Sequence, residues 1–241
     1  MTTLDEATIR ISGNRGKDGK DGDKGDNGVQ PEDPNGTDGT CRSRWYGTEC
    51  TCSTNGKPGG NAPTMGYSGC NGEPGTHAPS FVLKAGTIIG PLVIFSRGGD
   101  GGHAGRGGNG GTGADGGNAG QFDDSCGKKC LGKDCDFAMG GVGGDGSSAG
   151  DGGNGGAAGN GGPISVFYKE MDTQLVAQSQ GGLGGRFGEG GDAGLGGHGG
   201  LNEVYPGNDP NSAADGTNGS PGKAGKTGAS GQNGIVVVNQ I

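Results

Sequence analysis

The sequence predicts a bundle of about six antiparallel, glycine-rich polyproline-II-type helices, with a small β-layer at one end and disulfide-bearing loops at the other. The class is irregular to all-β, with essentially no α-helix. Three observations carry this. Glycine supplies 66 of 241 residues, against a usual share of roughly 7%. It recurs at every third position, and short β-branched stretches alternate with the glycine tracts in a regular order. With 27% apolar and 5% aromatic residues, the chain cannot bury the single oily core that its length would normally enclose.

Composition alone would suit a disordered chain or a collagen, so periodicity decides. Residues 98–120 read as Gly-Gly-X triplets, broken in the two glycine registers only by Ala104, Ala114 and Ala119. Residues 140–162 repeat the pattern with Ser147, Ala149 and Ala158 intruding, and 181–200 repeat it with Phe187 and Ala193. Residues 13–28 and 216–234 hold one unbroken glycine register, and 56–75 holds a weaker one. Register kept over seven triplets excludes disorder. Collagen is excluded because the tracts are short and Gly-Gly-X bares two edges of three.

A polyproline-II helix has three residues per turn, a rise of about 3.1 Å and no internal hydrogen bonds. Its backbone groups must find partners on other segments, and a glycine edge permits that approach. Tracts 98–120, 140–162 and 181–200, with two glycine edges, are expected inside; 13–28, 56–75 and 216–234 are expected at the periphery. The third edge of each inner tract, such as Asp100, His103, Arg106 and Asn109, is expected to face water, with Leu183 and Leu195 packing on a neighbour. Twenty-three residues would span roughly 70 Å. The whole of 1–241 reads as one domain.

Strand-like stretches fall at 7–12, 80–84, 87–95, 163–168, 174–178 and 235–240. Polar loops fall at 29–55, 121–139 and 201–215. If successive tracts run up and down, all strands gather at one end and all three loops at the other. Both terminal strands, 7–12 and 235–240, would then be available to pair between copies.

The formal charge of −8 and the lack of a basic, aromatic-interleaved stripe argue against nucleic-acid binding. No apolar run approaches the roughly 20 residues of a membrane helix, and the first residues show no secretory signal. Cys41, Cys50 and Cys52 lie in the first loop, Cys126, Cys130 and Cys135 in the second, and Cys70 within a tract. A scaffold with little core benefits from disulfides in an oxidising setting, and seven cysteines leave at least one thiol unpaired within the chain. Zinc is the alternative, but the C-x8-C-x-C and C-x3-C-x4-C spacings do not match a zinc knuckle. Matches to G-x-G-x-x-G are a by-product of the three-residue period, and the same period speaks against a nine-residue calcium repeat. No catalytic constellation, cofactor site or metal site stands out. Trp45, Tyr46, Phe122, Phe137 and Tyr205 fall in the loops and are the candidate partner-binding residues.

The Gly-Gly-X tracts carry two resemblances. The chain resembles snow-flea antifreeze proteins in its glycine triplets, its number of polyproline-II segments and its cysteines. It departs from them in placing Asp, Arg and Asn on the free edges. It also looks similar to the receptor-binding tip adhesins of T-even-like phage tail fibres, whose glycine-rich motifs are separated by variable loops. It departs from those in its cysteines and in lacking a recognisable fibre-attachment region. The expected function is a non-enzymatic extracellular interaction module at a virion or cell surface, an adhesin whose loops bind a cell-surface protein or glycan. A structural fibre subunit joined through terminal strands is the alternative, and ice binding is the third reading.

Overall fold

The computed structural model describes residues 9–122, 135–172, 174–204 and 210–241. The regular elements form where β-branched residues cluster, not in the glycine tracts. Among the described residues there are eight strands: β1 (Ile9–Ser12), β2 (Thr40–Arg44), β3 (Gly47–Thr51), β4 (Phe81–Ile88), β5 (Leu92–Arg97), β6 (Ile164–Met171), β7 (Leu175–Gln180) and β8 (Val236–Gln240). They make three small sheets: β1-β5-β7 and β4-β6-β8, both all-parallel, and the antiparallel pair β2-β3.

This overturns the expected fold class. Among the described residues the structure shows strands in three sheets and no helix, not a set of six polyproline-type helices. The three-residue period belongs instead to hydrogen bonds between separate extended segments. Gly13, Gly16 and Gly19 donate to the carbonyls of Arg97, Asp100 and His103 at 2.9, 2.9 and 2.7 Å. Gly98 and Gly101 likewise donate to Gln180 and Leu183. Residue numbers rise together on both sides, so 13–28, 98–120 and 181–200 lie parallel in one layer. By the same rule 56–75, 140–162 and 216–234 form a second parallel layer, through bonds such as Gly59 to Val142 and Gly146 to Thr217. The expected antiparallel order holds only between layers, where Gly99, Gly102 and Gly105 donate to Thr76, Glu73 and Cys70.

Each parallel sheet prolongs one layer: β1, β5 and β7 lead into the first, and β4, β6 and β8 leave the second. The stretches 80–84 and 87–95 therefore do not pair as neighbours. β4 and β5 belong to opposite sheets, joined by a turn in which Gly90 adopts φ 80°, a conformation that a side chain disfavours. Between the sheets lies the core of Ile88, Ile94, Ile164 and Val166, flanked by Ile9, Ile11, Phe81, Leu83, Leu92 and Leu175. Where sheets give way to glycine, buried serines satisfy the backbone: Ser96 Oγ accepts from the Gly162 N–H at 3.0 Å, and Ser179 Oγ donates to the Gly162 carbonyl at 2.8 Å.

The third edge of the tracts does more than meet water. In the first layer, Asp18, Asp21 and Asn27 accept from the backbone N–H of His103, Arg106 and Thr112, and Asp100 and Asp115 accept from Leu183 and His198. In the second, Asn71 accepts from Asn154, and Asp145, Asp151 and Asn154 accept from Thr217, Lys223 and Lys226. Short Asx side chains thus fill the donors that glycine carbonyls leave open. Leu183 and Leu195, on the last segment of the first layer, are exposed and do not pack on a neighbour as expected.

Two carboxylates of the ladder should make stability acid-sensitive. The Asp18 carboxylate is held below its ordinary range by the His103 N–H and by Arg15, and Asp145 by the Thr217 N–H and hydroxyl. A depressed folded-state pKa means that the unfolded chain takes up the proton first as pH falls. The stabilisation is present above the ordinary carboxylate pKa of about 3.9 and is lost as pH drops through the lower folded values. The double variant Asp18→Asn, Asp145→Asn keeps both acceptors but cannot titrate. Its melting temperature, followed by circular dichroism from neutral pH into acid, should fall less steeply than that of the wild type. Parallel slopes would show that these carboxylates do not contribute.

Candidate functional site

The first polar loop folds into the hairpin β2-β3, which the glycine period gave no reason to expect. It sits at the loop end, so the strands do not all gather at one end. Its signals are the alternation of Thr40, Arg42 and Arg44 with Cys41 and Ser43, and Gly47 at the turn exit, whose φ of 138° suits glycine. Residues Trp45 and Tyr46 form the turn. Trp45 is 96% exposed and Tyr46 58%, with their rings edge-to-face at a centroid distance of 5.3 Å. One hairpin face carries Thr40 and Thr51, Arg42 and Glu49, and Arg44, with Arg44 Nε donating to Glu49 at 3.3 Å. These residues line a shallow depression beside the turn.

The hairpin is fastened from below. Cys52, one residue beyond β3, is disulfide-bonded to Cys135. Cys41 and Cys50 face each other across the strands with sulfurs 3.1 Å apart, and each is disulfide-bonded. Cys70 leaves the predicted disulfide set: it is a free, exposed thiol. Cys126 and Cys130 lie outside the described residues. Among the described residues no group of three His, Cys, Asp or Glu side chains is placed to hold a metal.

A polar knot that the sequence did not reveal joins all three loops. Glu203 Oε2 accepts from Ser53 Oγ at 2.9 Å and from the Ala138 N–H at 2.7 Å, and the Glu203 N–H returns a bond to the Ala138 carbonyl. Asn202, buried, accepts from the Gly140 N–H and donates to Asn211. Ser53 and Glu203 are 150 residues apart, so no local spacing could have announced them.

Of the remaining predicted binding residues, Phe122 and Phe137 are among the described residues. Phe122 is half-buried, its ring lying over Gly39. Phe137 is exposed and makes contacts of its own. Tyr205 lies outside the described residues. No helix among the described residues is long and apolar enough to cross a membrane. The Cys52–Cys135 bond is chemistry of an oxidising compartment.

No family model matches the chain, and no curated protein is similar to it. Among solved structures it is similar to a nine polyproline type II helical bundle springtail antifreeze protein from Granisotoma rainieri, at 26% identity over 81% of this chain and 97% of that one. The TM-score is 0.10, and a superposition that poor supports no argument about fold or function.

Proposed function

We propose that the chain is a non-enzymatic extracellular interaction module that presents the β2-β3 turn to a cell-surface protein or glycan. The observation that carries this reading is Trp45, almost fully exposed at the end of a hairpin tied down by oxidised cysteines. Leaving an indole in water forgoes the stabilisation of burying it, on the order of 2–3 kcal/mol for a large apolar side chain, and that burial is available to a partner. Tryptophan and tyrosine supply much contact area at low entropic cost, and they dominate binding energies where they occur. A fixed turn also limits the ordering cost of association. The parallel layers and the knot at Glu203 serve, on this reading, to hold the turn still.

The test is binding of fluorescently labelled protein to whole cells and to a glycan array, wild type against Trp45→Ala and Trp45→Ala, Tyr46→Ala. Loss of an aromatic anchor costs about 2 kcal/mol or more, so affinity should fall roughly 30-fold. The melting temperature should stay within about 1 °C, because Trp45 is almost fully exposed. Undiminished binding by the double variant would move the partner site elsewhere.

A further inference from the structure

We infer that the β end carries a self-association surface, and that two copies pair there about a two-fold axis through the free edge of β8. Among the described residues each parallel sheet has two edge strands: β1 and β7 in one, β4 and β8 in the other. β7 packs against β8, so these two edges share one flank of the molecule, away from β1 and β4. The flanks differ in charge. β1 carries Arg10 and β4 carries Lys84, the kind of residue that protects an edge from pairing. From Leu175 to Gln180 and from 235 to 241 there is no charged residue at all.

The flank at β8 is also uncovered. Val236 and Val238 are in register with Ile164 and Val166, both of which have no exposed surface. One strand further on, the same face is left open: Val236 is 38% exposed and Val238 42%. Ile235 and Ile241 on either side are 73% and 67% exposed.

The chemistry selects a second copy of this chain. An antiparallel pair centred on Val238 sets Val238 against its own counterpart, Val236 against Gln240, and Ile235 against Ile241. An uncharged strand can be placed beside itself in any register without opposing like charges, whereas a β1 or β4 pair centred on Arg10 or Lys84 would set that cation against its own copy. Such a contact is isologous and closes at two copies. It would join the two sheets into one of six strands and point the glycine layers in opposite directions, where they do not collide.

Sedimentation velocity across a concentration series should show a species of twice the 23.3 kDa chain mass. Val238→Lys, which opposes two cations at the axis, should weaken association at least tenfold while the circular dichroism spectrum of the folded monomer stays unchanged. Val82→Lys, on the outer face of β4, should leave it intact. In a Cys70→Ser background, Val238→Cys should form an intermolecular disulfide on mild oxidation. A monomer at every concentration, open-ended growth past the dimer, or a dimer indifferent to Val238→Lys would each overturn the inference.

Discussion

Gly102→Ala should destabilise the protein by roughly 3–5 kcal/mol, near the upper end of single-residue effects, while Gly86→Ala should change stability by no more than about 0.5 kcal/mol. Gly102 lies in residues 98–120, which hydrogen-bond to 13–28, 56–75, 140–162 and 181–200. Its N–H donates to the Glu73 carbonyl and its own carbonyl accepts from the Gly156 N–H, both at 2.9 Å. A Cβ there would fall on the Lys17 carbonyl oxygen, well inside contact distance. That neighbour is backbone, so no side-chain rotation relieves the overlap. Relief requires moving a segment that is itself tied at every third residue. Gly86, in β4, has nothing within 4 Å of the corresponding position. Denaturant midpoints at constant m-value would measure both variants. Similar shifts for the two would mean that the close approach around Gly102 is not what holds the layers.

Much of this was written in the order of residues. The period of glycine located the six segments, and clusters such as 163–168 and 235–240 located β6 and β8 to within a few residues. What the period could not say was what it encoded. A repeat of three marks a helix with three residues per turn, but it also marks a hydrogen bond to a neighbouring segment at every third residue. The strand content decides for sheets and against helices as the regular elements. Direction was equally hidden. Adjacent strand stretches suggest local pairs, yet β4 and β5 separate because each continues its own layer. One signal was readable and missed: Asx residues crowd the third edge of 98–120 and 140–162, where a parallel neighbour follows, and thin out along 216–234, where Thr217, Ser220, Lys223 and Lys226 stand instead. The hairpin was missed because its alternation is brief and interrupted by cysteines, and the Glu203 knot because its members meet only through the fold.

Removing the Cys52–Cys135 bond with Cys52→Ser, Cys135→Ser should cost at most about 4.5 kcal/mol, the chain-entropy value for an otherwise open loop of this size, given the sequence separation of 83, and less to the extent that the disulfides at Cys41 and Cys50 still restrain the unfolded chain. Hydrogen bonds also join the two segments beside the bond. Asn55 Oδ1 accepts from the Met139 N–H at 2.8 Å, and the Gly56 N–H donates to the Met139 carbonyl at 2.9 Å. The effect should therefore fall on the unfolded chain, whose conformational freedom rises when the loop opens. With an apolar core of few residues, a loss of this size is a large share of a total that is typically 5–15 kcal/mol. At that ceiling the melting temperature should fall by roughly 9–18 °C for a chain of this length. Cys70→Ser, which alters only an exposed thiol, should leave the midpoint unchanged and serves as the control. On the reading that the turn at Trp45 binds a partner, the double serine variant should still bind well below its melting temperature, because the Glu203 knot keeps the three loops together. If binding disappears while the remainder of the fold persists, the disulfide positions the hairpin in the native state. If the melting temperature does not move, the bond does not contribute to stability.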